Sequence, residues 1–185
     1  MTGQRHLHNL ALIGFMGTGK SSVGRLAAAQ LHYDFVDTDE LIEKRLGKTI
    51  TQIFAQDGEA VFRDVERQLV AEMVAWRRKV IATGGGLPAC EANLASMREH
   101  ALVVCLWASP ESIWERVRNQ THRPLLKEPD PLNRIRTLLG ERTLFYRQAD
   151  VLVNTGMRSI KEVTQQVLHQ FHIARAGSPR SERPH

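Results

Sequence analysis

The chain has 185 residues, 42% of them hydrophobic, and a formal net charge of +5. That length suits one domain with a core of its own, and no apolar run reaches the roughly 18–20 residues that cross a bilayer. The opening MTGQRHLHNL lacks the apolar stretch of a signal peptide, so the expected location is the cytoplasm.

Short apolar runs alternate with longer helical patterns along the chain. LALIGF reads as a buried strand that runs into a glycine-rich loop. KSSVGRLAAAQL opens a helix with Val23, Leu26, Ala27 and Leu31 on one face. FVD is a second, short strand that ends in acid, and DELIEKRLG is a helix stopped by Gly47. A longer helix is predicted over about Glu59–Trp76, with a stripe of Val61, Val65, Leu69 and Met73. KVIAT is a third strand, leading into Gly84, Gly85 and Gly86, and ALVVCLWA is a fourth. Ser109 caps the next helix, with Pro110 at its first position.

QTHRPLLKEPDP, residues 120–131, breaks the pattern with three prolines and is predicted to be a mobile lid loop. LNRIRTLLGERTLFYRQA returns to helix, DVLVNT is a fifth strand, and SIKEVTQQVLHQF closes the domain. Strands alternating with helices imply parallel pairing through right-handed crossovers. The expected fold is an α/β three-layer sandwich with ligands at the carboxyl ends of the strands. The domain is expected over residues 1–174. The basic stretch 175–185 is expected to be a disordered tail, being poor in apolar residues. Cys90 and Cys105 lack metal-like spacing, and nothing implies a disulfide. No basic stripe interleaved with aromatics points to nucleic acid.

The chemistry begins at GFMGTGKSS. Gly14 to Ser21 fits G-x-x-x-x-G-K-[ST], with a strand before it and a helix after it. Backbone N–H groups and the helix N-terminus of such a loop cradle phosphates. Lys20 reaches the terminal phosphates and Ser21 can ligate Mg²⁺. A carboxylate for the metal's water shell is missing at the ends of the third and fourth strands. The second strand supplies it: in an extended FVDTD, Asp37 and Asp39 project to the same side. Asp37 suits the metal shell. Asp39 has two readings, an acceptor-hydroxyl partner or a plain cap of the following helix. No Asp is followed by Gly three residues on, and N-K-x-D is absent, so a small-molecule phosphotransferase fits better than a switch GTPase.

Basic residues complete the pattern. Arg63 and Glu66 lie one turn apart, as a substrate grip oriented by Glu66 or as a surface pair. Arg116 and Arg123 flank the start of the lid loop, and Arg142 sits on the next helix. Such a set can close on an acid and exclude water. Gly84–Gly86 permits close backbone approach of a ligand, or is a plain turn.

Taken in order, GFMGTGKSS, DTD, FRDVE, ATGGG, RPLL and ERTLFYRQAD resemble the shikimate kinase family over about Leu10 to Thr155. The resemblance implies a P-loop fold similar to nucleoside monophosphate kinases, with a five-stranded parallel sheet. It implies transfer of the γ-phosphate of ATP to the 3-hydroxyl of shikimate, with Mg²⁺, in a monomer. By the family pattern Gly17, Thr18, Gly19, Lys20, Ser21 and Ser22 wrap the ATP phosphates. Lys20, Asp37, Asp39 and Arg123 are the catalytic set, and Arg123 is the lid arginine. Asp39, Arg63, Gly84, Gly85, Gly86 and Arg142 bind shikimate, while Arg116 and Arg158 lie on the adenine side. The alternatives are another small kinase, acting on gluconate or a nucleoside monophosphate, and a non-catalytic nucleotide-binding regulator.

Overall fold

The computed structural model describes residues 5–119 and 129–177. Five strands, β1 Asn9–Ile13, β2 Asp34–Asp37, β3 Lys79–Ala82, β4 Ala101–Trp107 and β5 Val151–Asn154, form one sheet in the order β2-β3-β1-β4-β5. All four pairings are parallel. The chain enters at the centre of the sheet, so the loop after β1 opens where the strand order reverses. That is the place where open α/β sheets bind ligands.

Alternation along the strands sends side chains to two separate cores. Leu10, Leu12, Val80, Leu102, Val104 and Leu106 pack on the face covered by helices α1 (Lys20–Leu31) and α8 (Ile160–Ala176). Ala11, Ile13, Ile81, Val103 and Cys105 point to the other face. Helices α2 (Thr38–Leu46), α3 (Ile50–Gln56), α4 (Glu59–Met73), α5 (Glu91–His100), α6 (Pro110–Val117) and α7 (Pro131–Tyr146) lie between the strands in sequence. Their buried residues, such as Ile42, Ile53, Leu69, Met97, Ile113 and Ile135, fill the second core. Each fully buried Leu or Ile contributes roughly 1.5–3 kcal/mol. The expected three-layer sandwich is the observed one.

Several expectations are corrected. Helix α4 ends at Met73, and its buried face is Phe62, Glu66, Leu69, Val70 and Met73, so the stripe is turned from the one predicted. Val61 is exposed and Val65 half-buried. A four-residue step drifts around a helix of 3.6 residues per turn, and Phe62 with Val70 holds the true face. Helices α3 and α5 were not predicted. Thr49 and Gln52 form a reciprocal capping box at the start of α3, a signal readable in TITQ. Helix α8 runs to Ala176, past the expected domain edge at 174. The predicted lid falls largely on 120–128, outside the described residues, and Pro131 already belongs to α7.

At the amino ends of the strands, buried Asn9 of β1 ties together the start of β3, the loop before it and the end of α5. Its amide donates to the Trp76 carbonyl at 2.8 Å and to His100 Nδ1 at 3.1 Å, and its oxygen accepts from the Lys79 N–H at 3.0 Å. Burial, with Arg77 and His8 nearby, lowers the His100 imidazole from 6.5 to about 4. Between these values the unfolded chain binds a proton that the folded chain refuses, so this group's contribution to stability falls as pH falls from 6.5 towards 4. We expect His100→Gln to lose less melting temperature than the wild type between pH 7 and pH 5. Equal losses would show that His100 does not titrate as described.

Candidate active site

The loop from Gly14 to Lys20 joins β1 to α1 through backbone that only glycine tolerates at its start. Gly14 has φ 138°, and a Cβ there would lie 2.2 Å from the Leu106 carbonyl oxygen. Thr18 is buried, and its hydroxyl donates to the Phe15 carbonyl at 2.8 Å, so its side chain shapes the loop from inside. The Lys20 ammonium donates to the Gly14 and Phe15 carbonyls, each at 2.9 Å. Beside this loop opens a cleft of about 770 Å³, whose lining includes Gly17, Gly19, Lys20, Ser21, Ser22, Asp37, Asp39, Gly85, Gly86, Arg116 and Arg142.

Asp37 and Asp39 both line this cleft, though through a different backbone from the one expected. Asp37 ends β2 and is itself the cap of α2, accepting from the Asp39 N–H at 3.1 Å. Asp39 therefore sits in the first helical turn and is not the cap. The other oxygen of Asp37 accepts from the Ser21 hydroxyl at 2.8 Å. Asp39 Oδ1 is buried and has no hydrogen-bond partner among the described residues. Burial first, and the Asp37 charge second, raise the Asp39 carboxyl from 3.8 to about 6, against the pull of Lys20. Glu66 and Glu43 push it in the same direction as Asp37.

An adjoining cleft of about 380 Å³ shares Gly86 and Arg142 with the first and adds Arg63 and Glu66. Arg63 donates to Glu66 at 2.5 Å and to Glu59 at 2.9 Å. Glu66 is 2% exposed, so this is a partly buried ion pair and not a surface one. Burial pushes the Glu66 carboxyl up, and Arg63 offsets part of that rise. Arg142 lies over the Phe15 ring, with its guanidinium carbon 5.5 Å from the centroid. Cations on α4 and α7 thus line one cleft beside Gly85 and Gly86.

Arg116 bonds the Gly17 carbonyl at 3.3 Å and the Thr155 hydroxyl at 2.9 Å, joining the phosphate loop to the segment after β5. Arg158 pairs with Gln166 on α8 and is not among the residues that line the larger cleft. Arg123 lies outside the described residues. The sequence reading missed four side chains here. Thr38 and Tyr146 hold the glycine loop; Thr38 stands between two cleft acids, and Tyr146 follows Arg142 by one turn, a signal that helical spacing offers. Phe15 occupies a variable position of the phosphate-loop pattern and carried no signal. Glu43 lines the cleft and accepts from the Ile50 N–H at 2.8 Å, fixing the start of α3.

The residues fit Mg²⁺. Ser21 and Asp37 present hard oxygen donors in contact with each other at the phosphate loop, and the unpartnered Asp39 oxygen lies in the same cleft. Among the described residues, no helix is long and apolar enough to cross a membrane.

The chain is similar to known proteins. The profile of one family, shikimate kinase, matches residues 16–172. The chain is 41% identical over 165 residues to a shikimate kinase of Thermodesulfovibrio yellowstonii, covering 89% of this chain and 95% of that one. A shikimate kinase from Acinetobacter baumannii, solved in complex with shikimate, is 33% identical at a TM-score of 0.85, over 90% of this chain and 94% of that one. A gluconokinase from Sinorhizobium meliloti, 18% identical at a TM-score of 0.62 over 94% and 96% of the two chains, shares the fold alone. Gluconate phosphorylation, nucleoside monophosphate phosphorylation and a non-catalytic role are therefore not favoured. A phosphate loop, two facing carboxylates and an arginine pair at a bare glycine turn occur here on a chain whose relatives match it nearly end to end, and it belongs to the shikimate kinase family.

Proposed function

We infer that the chain transfers the γ-phosphoryl group of ATP to the 3-hydroxyl of shikimate, giving shikimate 3-phosphate and ADP. The observation that carries this reading is the acceptor end of the cleft. It combines cations for a carboxylate with a buried carboxylate oxygen that still has a lone pair to offer a hydroxyl. Arg63 and Arg142 grip the shikimate carboxylate through charge-assisted bonds. Glu66 and Phe15 hold the two guanidinium groups. Asp39 accepts from the attacking hydroxyl, and Gly84–Gly86 leaves room for the ring.

In the reaction the acceptor oxygen bonds to the γ-phosphorus as the bond to the β–γ bridging oxygen breaks. ADP leaves, and the hydroxyl proton passes to Asp39. The transition state is loose, so positioning and charge dominate and the proton moves late. Lys20 and the Gly17–Ser22 backbone hold the phosphates, with Arg116 and Arg158 on the adenine side. Ser21 would hold Mg²⁺ directly and Asp37 would order its water shell. When bound, the ion offsets the negative charge of the β- and γ-phosphates. Arg123, which lies outside the described residues, is the further cation assigned to the transferring phosphoryl group. The working unit is a cytoplasmic monomer whose kinase domain runs through the end of α8 at Ala176.

An acceptor panel tests this reading. With MgATP, kcat/KM for shikimate should exceed that for gluconate, quinate, AMP and CMP. A nucleotide as the preferred acceptor would leave the paired arginines without a purpose, and gluconate or quinate as the preferred acceptor would keep the arginine grip but overturn the shikimate assignment.

A further inference from the structure

The turn Gly84–Gly86 stands between the two halves of the acceptor end and has no side chains with which to hold its place. A Cβ on Gly84 would meet Asp39 Oδ1 at 2.3 Å, and a Cβ on Gly85 would meet Arg142 Nη1 at 3.3 Å. The turn is therefore already packed against Asp39 on α2 and Arg142 on α7. A small shift in either direction changes the distance between the groups that face shikimate.

Two hydroxyls fix it, one from each of those helices. Thr38 is 0% exposed, and its Oγ1 accepts from the Gly84 N–H at 2.8 Å. Tyr146 is 6% exposed, and its hydroxyl donates to the Gly85 carbonyl at 2.9 Å. Burial pushes the Tyr146 phenol up to about 12, so it remains a neutral donor at working pH. Thr38 is flanked by Asp37 and Asp39, and Tyr146 lies one turn beyond Arg142 on the same helix. One hydroxyl takes the N–H of the turn and the other gives to its C=O, on neighbouring residues.

We propose that Thr38 and Tyr146 are positioning residues for shikimate: a pair of buried hydroxyls clamps the glycine turn and so sets the spacing of Asp39 and Arg142. Neither hydroxyl is asked to touch substrate. The inference rests on the assignment of Asp39, Arg142 and the glycine turn to the acceptor site. It separates the two ends of the cleft, because the phosphate loop is built by other contacts and should not feel the loss of the clamp.

The test uses Thr38→Val, which keeps the shape and removes the hydroxyl, Thr38→Ser, which keeps the hydroxyl, and Tyr146→Phe. In Thr38→Val and Tyr146→Phe, kcat/KM for shikimate should fall by about tenfold, while KM for MgATP stays near the wild-type value. Thr38→Ser should recover most of the loss. The double variant Thr38→Val with Tyr146→Phe should lose less than the product of the single losses, because either change alone releases the same turn. The clamp is overturned if Thr38→Val keeps wild-type shikimate kinetics, if MgATP and shikimate parameters fall together, or if Thr38→Ser is no better than Thr38→Val. Should Thr38→Val not fold, Tyr146→Phe with an unchanged split between the two substrates decides in the same way. Wild-type enzyme that fails to turn over shikimate would instead overturn the acceptor assignment, and the clamp with it.

Discussion

Asp39→Asn should lower kcat by about a hundredfold to ten-thousandfold without weakening MgATP binding. Asparagine keeps the size of the side chain but cannot take the hydroxyl proton. MgATP binding is spared because the phosphates lie against Lys20 and the backbone of the loop. Removing a negative charge beside them relieves repulsion. A second consequence separates this role from a structural one. Burial raises the Asp39 carboxyl from 3.8 to about 6, so above pH 6 the fold carries the cost of an ionised group that it would otherwise protonate. A raised carboxylate pKa means the folded state binds the proton more tightly, and the cost vanishes below 3.8. Asp39→Asn should thus melt higher than the wild type at pH 7.5, by up to roughly 3 kcal/mol of stability. An inactive variant that is less stable would point to a structural carboxylate, and a fully active one would remove Asp39 from the chemistry.

Gly84→Ala should act through the same carboxylate from the opposite side. The new Cβ would fall 2.3 Å from Asp39 Oδ1 and 3.1 Å from its Cγ, well inside contact distance. The Asp39 backbone is fixed in the first turn of α2, where its N–H is held by Asp37, so the strain must be relieved by rotation of its carboxylate or by movement of the glycine turn. Either the turn moves or the carboxylate does, and a displacement of about 1 Å costs about a hundredfold in rate. We expect kcat/KM for shikimate to fall by that order, with MgATP affinity retained. Wild-type kinetics in Gly84→Ala would mean that the turn and Asp39 are not in contact in the working enzyme.

Much of this was legible in the sequence, for physical reasons that differ from element to element. The sheet was readable because β1 and β4 are buried on both faces and so appear as unbroken apolar runs. The phosphate loop was readable because its backbone geometry demands glycines at set places. Arg63 and Glu66 were readable as a pair because helical spacing alone brings them together. Helix α3 was obscured by its β-branched residues, Ile50, Thr51 and Ile53, which favour strands locally; its capping box and the packing of Ile53 decide the outcome. The stripe on α4 was mis-phased because Val61 is apolar but exposed, Val65 is only half-buried, and a buried Glu66 does not register as core. Asp37 and Asp39 were joined by an argument from extended geometry, whereas a helix start brings them together. The hydroxyls of Thr38 and Tyr146 had no motif, since their partners are backbone atoms of a turn remote in sequence.

The pH dependence of kcat/KM for shikimate, measured from pH 5 to 8 on wild type and Asp39→Asn, tests the central assignment most directly. The carboxylate of the acceptor stays ionised over this range, as ordinary carboxylic acids titrate near 4. The active form carries ionised Asp39, whose carboxyl titrates at about 6. Wild-type kcat/KM should therefore fall as pH drops through about 6, and this break should be gone from the residual activity of Asp39→Asn. A wild-type profile that stays flat from pH 5 to 8, or a break that survives unchanged in Asp39→Asn, would contradict the assignment of Asp39 as the group that holds the attacking hydroxyl.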